Sequence, residues 1–523
     1  MSHTLSDGTE ADSAEPLIPW DEWNQQLAAH VRPADWRNPT PSGPYHLVVI
    51  GAGTAGLVTA AGAAGLGARV ALIERAWMGG DCLNVGCVPS KALLRASRAA
   101  VALRDAQPWG SRLAGPLETD FGRVMSHVRQ LRARLSPHDS ATRFRDLGVD
   151  VYFGTAGFVD PRTIEVAGQR LEFRRAVIAT GARAAIPRLN GLAGDGLTTP
   201  RLLTNENVFS LTERPQRLAV LGGGPIGVEL AQAFARLGSR VDLFTSARGL
   251  LPREDRDAAE MVRAALIQDG VHIDARAKDV TVEPCEGGWC LNLPARSSEP
   301  AKRLDVDHVL VATGRLPNVE GLGLEAAGVR YNESGVVVNS RLQTSNRRVY
   351  AAGDVCSAFK FTHAADFMAR IVIQNALFRG RASVNQLQIP WCTYTSPEVA
   401  HVGIAEHDAE PQGIAIDTYR LPWSAVDRAV LDGETAGFIK VHCRRGTDRI
   451  VGATIVAAHA GDLISPIALA MQYRIGLRKV ARVIHPYPTQ ADAFRRLGDL
   501  YNRGRLTPRV KQIFKLWFRW MVK

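Results

Sequence analysis

Cys82 and Cys87 stand in the run Gly79-Gly80-Asp81-Cys82-Leu83-Asn84-Val85-Gly86-Cys87-Val88-Pro89-Ser90-Lys91. Two thiols this close in sequence can take up and release an electron pair by breaking and making one S–S bond. On a regular helix, residues five positions apart point about 140° away from each other. A bond requires their Cα atoms to lie within about 7 Å. The turn between them must therefore be distorted, and Gly86 permits that. The other reading is two buried structural thiols. The flanking segments favour the redox pair.

Those segments contain two nucleotide-binding patterns. His46 to Ile50 is a short apolar strand, Gly51-Ala52-Gly53-Thr54-Ala55-Gly56 opens an Ala-rich helix, and Val70 to Ile73 is a second strand ending at Glu74. Gly51, Gly53 and Gly56 let the backbone approach a pyrophosphate at a helix N-terminus, where free N–H groups favour anions. Glu74 falls where an acid accepts a ribose hydroxyl. The pattern recurs as the strand Arg217 to Leu221, the turn Gly222-Gly223-Gly224-Pro225-Ile226-Gly227, a helix through Leu237 and the strand Val241 to Phe244. Gly222, Gly224 and Gly227 are its cradle. Two dinucleotide sites in one chain point to a flavin and a nicotinamide between which hydride passes. The second unit's closing strand ends at Thr245 instead of an acid, with Ser246 and Arg248 after it. An acid would repel a 2′-phosphate, whereas Arg and small hydroxyls accept one. NADPH is therefore expected. With NADH instead, Arg248 is a solvated surface charge.

The cysteine run resembles the active-site signature of the pyridine nucleotide-disulfide oxidoreductases, a family that includes dihydrolipoamide dehydrogenase, glutathione reductase and mercuric reductase. The likeness extends from about Tyr45 to about Asn502. It implies an α/β fold with two doubly wound Rossmann-like nucleotide-binding domains and an α+β dimerisation domain. The implied order is an N-terminal arm (1–43), a first FAD-binding part (44–186), an NAD(P)-binding domain (187–313), a second FAD-binding part (314–387), the dimerisation domain (388–503) and a basic amphipathic tail (504–523). It also implies FAD as cofactor and an obligate homodimer whose active sites borrow residues across subunits. Ala179-Thr180-Gly181 and Ala312-Thr313-Gly314 look like the family's hinge motifs. Val349-Tyr350-Ala351-Ala352-Gly353-Asp354-Val355 is similar to the second FAD motif, in which Asp354 would accept from a ribityl hydroxyl. Gly154-Thr155-Ala156 occupies the place where backbone meets adenine. Lys91 and Glu229 match positions that pair near flavin N5; by residue type alone, both are equally surface charges. In the implied chemistry, electrons reach the disulfide through Cys87, and Cys82 exchanges with the substrate.

One run departs from the family's dithiol and disulfide enzymes. There a catalytic His precedes Pro-Thr, and a carboxylate follows five positions on. Here the run is His485-Pro486-Tyr487-Pro488-Thr489-Gln490-Ala491-Asp492, so Tyr487 stands at the His position and Asp492 at the carboxylate. A phenol of pKa about 10 does not shuttle protons near neutrality as an imidazole does. His485 is the alternative base, one repeat away along an extended segment. Mercuric reductases carry Tyr here, and Glu229 to Arg240 also resembles theirs. They end in a cysteine pair as well, whereas no cysteine follows Cys443 here. The expected function is thus a mercuric reductase-like FAD-dependent NAD(P)H oxidoreductase acting on a disulfide or metal ion. Dihydrolipoamide dehydrogenase-like dithiol oxidation, a membrane-surface quinone reductase and a non-enzymatic redox sensor are the alternatives.

At 523 residues the chain is long enough for about three domains. Seven cysteines in that length do not make a disulfide scaffold, no zinc-type spacing appears, and a reducing cytoplasm is expected. Cys285 and Cys290 flank Glu-Gly-Gly-Trp, which reads as a hairpin turn carrying free thiols. No secretory signal is read at the N-terminus. Leu47 to Ala68 is uncharged, but its glycines make it a strand, turn and helix, not a membrane span. Residues 1–43 read as a flexible arm with a short helix near Trp20 to His30, anchored by Trp20, Trp23 and Trp36. The net charge is +11, and residues 504–523 carry six Lys/Arg and no acid. Without a recognition motif this basicity does not indicate nucleic acid. Val510, Ile513, Phe514, Trp517, Trp520 and Met521 share one helical face ringed by cations, which suits an anionic membrane surface or packing on the protein's own dimer.

Overall fold

A computed structural model describes residues 16–187, 201–277, 279–295 and 300–522. The chain forms two compact units. One comprises Met1–Gly222, Ala233–Phe244 and Arg276–Gln386; the other comprises Gly223–Gln232, Thr245–Ala275 and Leu387–Lys523.

The first unit begins with helix α1 (Glu22–Val31), whose N-cap Asp21 accepts the Asn24 N–H at 3.0 Å. Leu27 and Val31 are fully buried, and Trp36 donates its indole N–H to the Val151 carbonyl at 3.2 Å. From residue 16 onward the segment is therefore packed, with Trp36 anchoring it as expected. Trp20 is 60 % exposed and anchors nothing; aliphatic residues of α1 do so instead. The part of the expected arm before residue 16 lies outside the described residues.

Strand β1 (Tyr45–Ile50) leads into α2 (Thr54–Gly65) and β2 (Val70–Glu74). The redox run follows as α3 (Gly80–Asn84) and α4 (Cys87–Arg104), and then comes α5 (Phe121–Leu135). The sheet is completed by β3 (Val149–Phe153), β4 (Ala156–Asp160), β5 (Thr163–Val166) and β6 (Gln169–Ile178), in the order β3-β2-β1-β6-β5-β4. Strands β3, β2, β1 and β6 are parallel, with Val49 opposite Leu72 and Val177. Such strands are covered on both faces, and hence β1 reads as a continuous apolar run. The late strand Val349–Ala351 adds in parallel beside β6, with Val349 opposite Ala176. Tyr45, Val48, Ile73, Ile178, Val349 and Val355 share one buried core.

In the same unit Arg240–Phe244, Arg217–Leu221, His308–Val311 and Leu202–Leu203 form a second parallel array. Against it lies an antiparallel sheet of Thr281–Cys285, Gly288–Leu293 and Lys302–Val306, with Trp289 buried between them. The expected hairpin at Cys285 is present, but its thiols are not free: Cys285 and Cys290 are joined as a disulfide, Cα to Cα 5.8 Å. Register supplies the reason. Cys285 faces Gly288, where a side chain would strike the Val306 carbonyl, so its sulfur reaches diagonally to Cys290 on the same face.

The second unit holds a five-stranded antiparallel sheet in the order Trp391–Thr393, Glu398–Gly403, Ile450–Ala457, Phe438–Arg444 and Ile416–Pro422. Helices Ala460–Gln472 and Asp492–Gly504 contribute Ile464, Ile467, Phe494 and Leu497 to its core. The final helix, Pro508–Met521, starts at Thr507, whose hydroxyl accepts the Val510 N–H, and buries none of its residues.

Candidate active site

The glycine turn after β1 is fixed by contact. Gly51 has φ +101°, and a Cβ there would collide with the Ala179 carbonyl; one at Gly56 would collide with the carbonyl of Gly51. The redox run packs directly on this turn. Gly79 N–H donates to the Ala52 carbonyl at 2.9 Å, and a Cβ at Gly80, φ +56°, would press on Gly53. Glu74 is buried beside them. Its carboxylate accepts the Ala52 N–H at 2.7 Å and the Ala76 N–H at 2.8 Å. Burial raises its pKa, and those two N–H groups pull it back.

A second buried acid, Asp354, follows the strand Val349–Ala351. Burial raises its pKa too, while the Arg315 charge lowers it. Both acids stand at the C-terminal ends of parallel strands, where α/β sheets bind ligands. The geometry fits a flavin dinucleotide: a close-packed glycine turn for its pyrophosphate, and two sequestered carboxylates that gain from hydroxyl donors. The hinge motifs brace this cleft. Thr180 donates its hydroxyl to the Asn318 carbonyl at 2.7 Å, and Asn318 returns its amide to the Thr180 carbonyl at 2.9 Å. Gly181 and Gly314 have φ +67° and +150°. Thr313 donates to the Ala185 carbonyl at 2.7 Å. Ala156 is the first residue of β4 and is paired with Val166.

The distortion demanded by the cysteine spacing is a break between two helices. Helix α3 ends at Asn84, Val85 and Gly86 leave helical geometry, and Cys87 restarts it as α4. A Cβ at Gly86 would meet the Asp81 carbonyl, so glycine is required by approach even though its φ is −133°. Asn84 locks the turn by donating to the carbonyls of Met78 and Gly80 at 3.1 and 2.9 Å. Cys82 and Cys87 are two thiols in this structure, in hydrogen-bond contact with each other. The bond to Cys87 and then burial raise the Cys82 pKa strongly, and the nearby Asp139 charge adds to this. Cys82 therefore holds its proton. Cys87 opens an 18-residue helix, whose N-terminal dipole favours an anion. The Thr362 hydroxyl lies 3.3 Å from its sulfur. Lys91 stands one turn further along α4.

Three participants were not singled out by the sequence reading: Thr362, Asp81 and Arg315. Arg315, with 15 % of its side chain exposed, pairs with Asp81, the residue before Cys82, and its Nε lies 3.5 Å from Asp354. One guanidinium thus ties the redox turn to the second acid. Its position directly after Gly314 was the available signal.

In the second unit, a Cβ at Gly223 would strike the Thr245 side chain, and Leu251 N–H donates to the Gly223 carbonyl at 2.8 Å. The segment after Thr245 therefore curls against the glycine turn whose cradle includes Gly224 and Gly227. Thr245 is buried and donates its hydroxyl to the Gly249 carbonyl at 2.8 Å, while Arg248 is exposed. Gly222, in the first unit, has φ +124°, and a Cβ there would strike the Ala312 carbonyl. Glu229 is buried and accepts the Tyr394 N–H at 2.7 Å; Gln232, one turn on, accepts that of Ser396 at 2.8 Å. Both side chains pin the Tyr394–Ser396 run.

Tyr487 and Asp492 belong to one chain of polar contacts. The exposed Tyr487 hydroxyl donates to Asp427 at 3.0 Å, which raises the phenol's pKa further. Arg496 bridges Asp427 and Asp492 at 3.2 and 2.6 Å. Burial works to raise the Asp492 carboxyl, but hydrogen bonds from Arg495 and Arg496 outweigh it and hold the pKa low. His485 sits apart, its ring centroid 6.1 Å from that of Phe494.

Residues 45–369 match the family model described as pyridine nucleotide-disulphide oxidoreductase, and residues 389–497 match the model of that family's dimerisation domain. Mercuric reductase of Staphylococcus aureus is 34 % identical over 454 residues, covering 87 % of this chain and 82 % of the relative. Dihydrolipoyl dehydrogenase of Thermus scotoductus is 34 % identical over 460 residues, covering 88 % and 98 %. Among solved structures, the HOCl-induced flavoprotein disulfide reductase RclA of Escherichia coli superimposes with a TM-score of 0.76 at 29 % identity, covering 87 % of this chain and all of that one. It has also been solved as a Cu(II) complex.

Proposed function

Because the chain belongs to the pyridine nucleotide-disulphide oxidoreductases, we propose that it carries electrons from NADPH through Cys82 and Cys87 to a disulfide or soft metal-ion acceptor. It is an FAD-dependent NAD(P)H oxidoreductase, and its dimerisation domain makes the working unit a homodimer. Bound FAD supplies the chemistry of accepting a hydride from a nicotinamide and passing electrons to sulfur. The protein's own groups would hold it: the Gly51–Gly56 turn at the pyrophosphate, Glu74 at the ribose and Asp354 at the ribityl chain.

Among the described residues, the observation carrying the reading is the pairing of Cys82 with Cys87 across a broken helix, packed on the glycine turn. The half-reaction of the chain is balanced by sulfur alone. The Cys82–Cys87 disulfide takes two electrons and two protons to become two thiols. Cys82 then attacks an acceptor disulfide, giving up its proton as it does so, and expels one thiol. Cys87 attacks the mixed disulfide, expels the second thiol and restores the bond. A soft metal ion would instead be held between the two sulfurs. Tyr487, hydrogen-bonded to Asp427, holds its proton and does not act as the base. This favours the mercuric reductase-like reading over lipoamide chemistry. Arg248 and Ser246, exposed or half-buried after Thr245, support NADPH over NADH.

The terminal helix supports contact with an anionic membrane surface. Ile513, Phe514, Trp517, Trp520 and Met521 are all exposed on one arc, with Lys511, Lys515 and Arg519 opposite. Among the described residues no helix is long and apolar enough to cross a membrane.

Anaerobic titration of the purified protein with NADPH, with NADH and a Cys82→Ser variant in parallel, tests the redox reading. A long-wavelength thiolate-to-flavin band after two electrons is expected, reached at lower NADPH than NADH. Direct bleaching of the flavin without that band would overturn the role of the cysteines and leave quinones as the acceptors to examine.

A further inference from the structure

We propose that Cys285, Cys290 and Asp305 form a second thiol centre: a disulfide that, once reduced, binds a soft divalent cation. It is distinct from the Cys82/Cys87 pair and does not depend on the reading of that pair.

The ligand atoms of these three residues all lie within 4.8 Å of one another. The hairpin register sets them there. Cys290 faces Asp305 across one strand pair, and Cys285 lies diagonal to Cys290 across the other, beside the side-chain-free Gly288. Cys290 is buried, Cys285 is half-buried, and Asp305 opens to solvent. A cation thus has a route in and a rigid sheet to bind to.

The surroundings are those of a reactive pair. The Cys290 sulfur lies 3.1 Å from Asp305 Oδ1. A disulfide sulfur has no proton to give, so two electron-rich atoms face each other and need a cation between them. Arg303 supplies one, donating Nη2–H to the Cys290 sulfur at 3.0 Å and Nε–H to Asp305 Oδ1 at 3.1 Å. A guanidinium on a sulfur stabilises its thiolate, which makes that sulfur the better leaving group in thiol–disulfide exchange. A bond serving only to hold the hairpin has no use for this: the strands are already paired on both sides of the turn, and the bond closes only a short loop. Arg303 is 65 % exposed and free to yield its place.

The chemistry closes with a dithiol as reductant. The dithiol gives two electrons and two protons to the Cys285–Cys290 bond and leaves as its own disulfide, producing two thiols. The cation then displaces both thiol protons to solvent, forms two sulfur–metal bonds and takes Asp305 as third ligand. Two thiolates and one carboxylate in a rigid frame suit a d10 divalent ion, with a fourth position open to water.

The test uses the full-length FAD-loaded protein carrying Cys82→Ser and Cys87→Ser, so that the primary pair contributes no thiolate. The protein is treated with dithiothreitol, freed of it anaerobically and titrated with Cd2+ against a chromogenic chelator, while the ultraviolet thiolate-to-cadmium band is recorded. One additional equivalent of Cd2+ per chain is expected after reduction. Adding Cys285→Ser should abolish it, and Asp305→Asn should weaken it roughly tenfold. Native alkylation guards against a misfolded variant: two more cysteines should react in the reduced protein than in the untreated one, and Cd2+ should protect both. Equal Cd2+ stoichiometry before and after reduction, or protection unaffected by Cys285→Ser, would overturn the proposal.

Discussion

Cys82 holds its proton because its hydrogen bond with Cys87 and then burial both raise its pKa. The residue types and the spacing of this pair were legible in the sequence, as were Glu74 and Asp354. Arg315 and Thr362 were not, because what makes them part of the site is a contact made hundreds of positions along the chain. The two sulfurs of the hairpin were misread as free for a related reason: their bonding depends on strand register and on the missing side chain of Gly288. Glu254 carries the clearest pH consequence. It is buried, its carboxylate accepts the Trp391 indole N–H at 2.7 Å, and burial pushes its pKa from 4.5 up to about 7. Between those pH values the folded protein keeps a proton that the unfolded chain has released, so stability falls as pH rises through the window. His442 acts in the opposite sense. Burial pushes its imidazole from 6.5 down to about 4, so stability falls as pH drops through that range. Where the windows overlap the slopes oppose, leaving Glu254 alone to lower stability above pH 6.5. Glu254→Gln keeps an acceptor for Trp391 and should raise stability at pH 8 by about 2–3 kcal/mol. At pH 4 it should give no gain. Melting curves at both values check this, and an equal effect at both would refute the assignment.

At the scale of elements, the turns were the most readable part of the chain. The order strand, glycine turn, helix and strand recurs as expected, closed by an acid in the first unit and by Thr245 in the second, and Gly51, Gly56, Gly222 and Gly223 are fixed by collisions that a side chain would cause. Gly56→Ala places a methyl group against the Gly51 carbonyl, so the helix must move away from the pyrophosphate position. The variant should fold with its flavin content down roughly tenfold. The ratio of flavin to protein absorbance measures it, and full flavin content would show that the turn tolerates the shift. The break between α3 and α4 was anticipated as a distortion, but its form was not. Two helices separated by Val85-Gly86 cannot be read from a period, since the break is set by the Asp81 carbonyl and the Asn84 amide. Helix α1 lies where the sequence places it, but its burial comes from Leu27 and Val31, and of the tryptophans Trp36 anchors the segment after it.

For the whole molecule, charge is distributed unevenly: the last 20 residues hold six basic side chains and no acid, out of a net +11. Their helix exposes its aromatic arc as well as its cations. Liposome flotation with anionic vesicles should carry the full chain upward and leave behind a chain lacking residues 504–523. Equal behaviour of the two forms would remove the membrane reading and leave the arc to protein partners. Neutral vesicles should bind both forms weakly.

The strand Val349–Ala351 completes the sheet beside β6, although 171 residues (from 178 to 349) separate the two. Asp354 follows it by three residues, and Arg315, the clamp on Asp81, precedes it by 34. A ribosome adding about 5–20 residues per second needs roughly 10–30 s to span that gap. Throughout that interval Cys82 and Cys87 have been synthesised, but the sheet beneath them lacks a strand and the redox turn lacks the carboxylate to which Arg315 joins it. The cofactor cleft is thus a late product of synthesis: the nascent chain carries its most reactive thiols well before it can bind the group that uses them.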